Sequence, residues 1–101
     1  MEPENELWLA LSAGKITDAE TLERIATTDK EHMVRAAAVR RITDKYALER
    51  IADTDDEPAV RVIAIEHITD QDVLLKLASW EDDIAVMRAA VDRVRVLRAR
   101  Q

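Results

Sequence analysis

Apolar residues recur along this chain in groups spaced i, i+3, i+4, which marks one face of a helix. Leu22, Ile25 and Ala26 form one group, Leu48, Ile51 and Ala52 a second, and Leu74, Leu77 and Ala78 a third. Each is preceded by the same tripeptide, Ile16-Thr17-Asp18, Ile42-Thr43-Asp44 and Ile68-Thr69-Asp70, at a period of 26 residues. Thr17 or Asp18 offers a side-chain oxygen to the unpaired amides of a first turn, and Thr17 with Glu20 has the spacing of a capping box. A second apolar helix follows an acidic turn in every copy. It is predicted over residues 32–42, over 58–68 with Pro58 where a missing N–H costs little, and from Ile84 to about Ala99.

Residues 4–15 precede the first Ile-Thr-Asp, in the place of a second-type helix, and are predicted to be a capping half-repeat. Leu7, Trp8, Leu9 and Leu11 would close the open end, and Gly14 would end the helix. The expected organisation of residues 1–101 is one domain: the half-repeat 4–15, then repeats 16–41, 42–67 and 68–101, the last with an extended C-terminal helix. Seven helices result. Caps are needed because each hairpin has an apolar flank that only a neighbour can cover.

Composition narrows the picture. With 48% hydrophobic and 36% charged residues over 101 positions, the chain is a folded single domain. One Gly and two Pro oppose a turn-rich β fold. The absence of Cys excludes a thiolate nucleophile and a Cys-based zinc or iron–sulfur site. An acidic N-terminus and a short apolar stretch over residues 7–13 point to a cytoplasmic protein without a membrane span.

An Asp followed six residues later by an Arg marks each repeat: Asp29/Arg35, Asp55/Arg61 and Asp82/Arg88. The third pair sits 27 residues after the second, which implies a one-residue insertion near Ser79-Trp80. Together with Leu22, Ile25, Val34 and Ala38 and their counterparts, this pattern resembles a HEAT repeat in its short bacterial and archaeal form, over residues 16–94. Leucine-rich repeat variants are a weaker match. The resemblance implies an all-α, right-handed α-solenoid of about three and a half helical hairpins, with the Asp and Arg side chains forming a ladder between neighbouring repeats. A physical rationale accompanies it. Arg35 borders the core arc of Val34, Ala37, Ala38 and Ile42, where an unpaired guanidinium would be costly. An Asp in the preceding turn can cap the helix and neutralise that Arg.

Charge and chemistry complete the reading. Residues 1–83 carry 10 basic and 20 acidic groups, whereas residues 84–101 carry five Arg against Asp92 alone. The helix macrodipole favours that distribution on the last helix, and an acidic partner would be attracted to it. His32 and His67 stand in no ligand pattern, Asp53, Asp55, Asp56 and Glu57 lack the EF-hand glycine, and Ser12 and Ser79 lack a nucleophile elbow. No catalytic, metal or cofactor site is expected. The resemblance places the second helices on a concave face, where Ala36, Val62 and Ala89 form a small apolar floor and Arg40, Glu66 and Arg93 a rim of both signs. Such a face suits a peptide or helix of another protein. The expected function is a non-catalytic protein-binding module or scaffold. Its rivals are nucleic-acid binding through the Arg-rich last helix and service as an accessory subunit of a cofactor enzyme. The open ends and opposed charges also favour a homodimer.

Overall fold

Asp18, Asp44 and Asp70 each open a helix, and their side chains show why the chain turns helical there. Asp18 Oδ2 accepts from the Thr21 amide at 2.8 Å and from its hydroxyl at 2.6 Å. Asp44 Oδ1 accepts from Tyr46 N, and Asp70 Oδ1 from Asp72 N and Val73 N. Asp, one residue after the Thr, is therefore the N-cap; the Thr17–Glu20 capping box does not form, because the third helical residue is Thr21. In the computed structural model, which describes residues 5–101, seven α-helices result. They are α1 (Glu6–Ser12), α2 (Ala19–Thr28), α3 (His32–Val39), α4 (Lys45–Thr54), α5 (Pro58–Ile65), α6 (Gln71–Trp80) and α7 (Ile84–Ala99). The described residues contain no strand, and no helix is long and apolar enough to cross a membrane. The expected start of the capping half-repeat at residue 4 lies outside the described residues.

Even-numbered helices end alike. The N–H groups of Asp29, Asp55 and Glu81 close on the carbonyls of Ile25, Ile51 and Leu77, each at 3.1 Å. Their carboxylates then accept from the amide two residues on, at Glu31, Glu57 and Asp83, each at 2.9 Å. That turn reverses the chain into α3, α5 or α7. Helices α3 and α5 stop three residues short of the expected 42 and 68. Their last turns tighten, with Ile42 N bonded to Val39 O and Ile68 N to Ile65 O, which drops both Ile side chains into the core. The N-caps Asn5, Glu31, Glu57 and Asp83 stand 26 residues apart throughout, so α1 occupies the same slot as α3, α5 and α7.

Odd helices pack in succession, α1 on α3, α3 on α5 and α5 on α7, while α2, α4 and α6 each pack on the odd helix that follows. Ala26, Ala38, Ala52, Ala64 and Ala90 are wholly buried at these contacts. Side chains this small let helix axes approach closely, and Leu22, Leu48, Leu74, Val34, Val60 and Val86 fill the space between.

Two expected outcomes follow from the helix ends. Gly14 closes α1 at φ +74, and a Cβ there would meet Arg41 Nη1 at 2.9 Å. Gly14→Ala is expected to cost about 1–2 kcal/mol in urea unfolding, mostly from left-handed backbone that alanine resists. At Asp18, the Thr21 hydroxyl and amide bonds hold the carboxyl below its ordinary value of 3.8. A depressed carboxyl stabilises the fold above its unfolded value and loses that contribution as pH falls through the folded one. Thr21→Val should therefore move the Asp18 carboxyl NMR titration upward toward 3.8.

Candidate functional site

Arginines of the odd helices and acids of the interhelical turns make the first cluster. Arg35 Nη1 donates to the backbone carbonyl of Asp29, in the turn of its own hairpin, at 2.8 Å. Its Nε and Nη2 donate to the two carboxylate oxygens of Asp55, in the next turn, at 3.0 and 3.1 Å. Asp56 adds a contact at 3.1 Å from a side chain that is 93% exposed. Arg61 repeats the arrangement, with Nη1 on Asp55 O at 2.6 Å and Nη2 on Glu81 Oε2 at 3.0 Å. Each carboxylate thus belongs to the following hairpin; within a hairpin the Arg takes the turn's carbonyl, because the carboxylate is already turned to the amide two residues on. The Arg35 and Asp55 side chains are only 11% and 7% exposed, and the hydrogen bonds to Asp55 raise the Arg35 pKa above its ordinary value. A carboxylate at 3.0 Å on both arginines leaves neither free to collect an external anion.

The third rung is displaced from its expected place. Glu81, not Asp82, is the equivalent of Asp29 and Asp55, as its turn bonds show. Val34, Val60 and Val86, all buried, keep the 26-residue spacing, so there is no insertion near Ser79-Trp80. The position equivalent to Arg35 and Arg61 is Met87, while Arg88 lies one residue on and Asp82 and Arg88 are both exposed. Charge rather than identity was the usable signal: an acid stands at each of positions 29, 55 and 81.

The same register revises the candidate face. Ala36 and Val62 correspond to Arg88, and Arg40 and Glu66 correspond to Asp92; Ala89 and Arg93 are each one residue out of step. Ala36 is buried and Val62 half-buried, whereas Arg40 and Glu66 are exposed. Glu66, Ala89 and Arg93 do meet, with Ala85, Arg88, Asp92 and Val96, around an open depression of about 410 Å³ between α5 and α7. Arg93 is half-buried there and donates Nε to the carbonyl of Ile68, three residues beyond the end of α5, at 2.9 Å.

Other candidates stay apart. His32 is exposed at the start of α3, and His67 Nδ1 donates back to Ile63 O. Among the described residues no three His, Asp or Glu side chains gather as a metal site. Ser79 donates its hydroxyl to Lys76 O. Trp8 packs half-buried against the core, while Trp80 is 79% exposed at the end of α6. Comparison with family models, curated proteins and solved structures gave no match to this chain.

Arg61 engages Glu81 through one nitrogen only, and among the described residues its buried Nε has no partner. Glu81→Asp should restore the two-point geometry that Arg35 has with Asp55 and raise stability by about 1 kcal/mol. Asp55→Ala should cost about 3 kcal/mol by stranding the Arg35 guanidinium, and Asp56→Ala less than about 0.5 kcal/mol. Denaturant midpoints of the three variants check all of this.

Proposed function

We propose that the protein is a cytoplasmic, non-catalytic interaction module, a short HEAT-like α-solenoid that binds another protein on the open side of its odd-numbered helices. The observation that carries this reading is the character of that side. Ala85, Ala89 and Val96 share one open depression with Glu66, Arg88, Asp92 and Arg93, apolar side chains beside charges of both signs, and exposed Arg40 stands one repeat back at the position equivalent to Glu66. Support for a solenoid comes from odd helices that pack in sequence and from two arginines that tie neighbouring turns. A stack braced in this way presents its side chains on short, rigid helices, which lowers the ordering cost of binding. Glu66 and Asp92 on the face, with a net charge of −6, weigh against a phosphate backbone as the ligand.

Quantitative capture from a native lysate tests the reading. Arg40→Glu with Glu66→Arg changes two exposed side chains and leaves net charge and core untouched. Proteins held by the wild type should be held at least about tenfold less by this double variant, with a melting temperature within about 5 °C. Retention indifferent to the face, or retention of nucleic acid that fades steeply with salt, would overturn the proposal.

A further inference from the structure

Helix α7 runs for 16 residues, against eight for α3 and α5. Val86, Ala90 and Val94 are buried on its inner side, and Leu97 packs against the same core. The outer side has its own order. Ala85, Ala89, Asp92, Val96 and Ala99 follow one another at intervals of four, three, four and three residues, the spacing of a coiled-coil seam. The positions flanking that seam on its exposed length are Arg88 and Arg95 on one side and Arg93 and Arg100 on the other. Val96, 43% exposed, stands between them, and the seam's first four residues line the 410 Å³ depression.

We infer that this Arg-flanked seam is the docking site for one acidic amphipathic helix of a partner protein. The inference deepens the interaction-module reading and rests on it. Charge decides the occupant. A second copy of α7 would set Arg against Arg at the flanks whether the helices ran parallel or antiparallel. A helix with Glu at its flanking positions meets an opposite charge at all four. Phosphate is disfavoured because Asp92 lies within the seam and Glu66 forms part of the wall, each placing negative charge where a backbone would run. Asp92, 58% exposed and only 3.6 Å from Arg95, is matched by a basic residue at one seam position of the partner. The seam is about 21 Å long, so the docked segment is about four turns.

Fluorescence anisotropy with three labelled probes tests this on the full chain. The first is a helical peptide of about 21 residues with Leu and Ala on its seam and Glu at its flanks; the second has Lys at the flanks; the third is a DNA duplex of about 20 base pairs. A chain of net charge −6 attracts the Lys peptide through its overall field, so a local site reveals itself by the opposite preference. The Glu peptide should bind at least about tenfold more tightly than the Lys peptide, and Arg88→Glu with Arg95→Glu should reverse that order. Both arginines are exposed, so this variant keeps the wild-type helical circular dichroism. Equal binding of the two peptides, a preference untouched by the double variant, or tighter binding of the duplex would each overturn the inference. So would a concentration-dependent dimer that the double variant dissolves, because the seam would then hold a second copy. If the Glu peptide fails while lysate capture still depends on Arg40 and Glu66, the inference falls and the module reading stands.

Discussion

One guanidinium spans two hairpins. Arg35 reaches the carbonyl of Asp29 behind it and the carboxylate of Asp55 ahead of it, so both turns must lie within the width of a single planar group. Burial enforces the arrangement, since an arginine this shielded cannot leave its charge unanswered. Asp55 is the node. Its amide ends α4, its carboxylate holds Arg35 and the Glu57 amide, and its carbonyl receives Arg61. The hydrophobic contacts supply most of the stabilisation and are indifferent to small slips; the arginine links are directional and set the spacing at which Ala38, Ala64 and Ala90 meet their neighbours.

Most of the helical layout was legible because it rests on local chemistry. Asp18, Asp44 and Asp70 announce helix starts, Pro58 sits at the start of α5, and Gly14 closes α1, all through backbone rules that a single strand of text carries. The early ends of α3 and α5 were hidden, because apolar Ile42 and Ile68 fit a helical stripe as well as they fit the tightened turn that buries them. The third rung was hidden for a different reason. Matching Asp-to-Arg pairs by identity drew Asp82 and Arg88 together, although Glu81 and Met87 hold the true positions. One extra methylene in Glu81 preserved the turn and concealed the register. Where Arg35 Nε meets Asp55, Arg61 Nε has no acceptor among the described residues.

The misplaced register also displaced the candidate face by one residue on α7, a rotation of about 100° around the helix. Corrected, the positions equivalent to Val62 and Glu66 are Arg88 and Asp92, an opposed pair of charges in place of a neutral and a basic residue. Ala89 and Arg93 remain at the edge of the same depression, Arg93 with its Nε committed to Ile68 O. Half-buried arginines in the middle of the protein are neutralised by their turns, while those on the outer side of α7 outnumber the carboxylates near them. Arginine therefore has two uses here, bracing in α3 and α5 and exposed surface charge on α7.

The double role of Asp55 makes the repeating unit compatible with itself. A segment cut between equivalent points of α4 and α6 begins with what its own end requires, an acidic turn ahead of an arginine and a carbonyl behind it. Duplicating those residues in tandem would lengthen the protein by one hairpin without asking either terminus to change, and the inserted arginine would find both of its acceptors waiting. An added hairpin of this kind would bring with it the donor and both acceptors that join it to its neighbours.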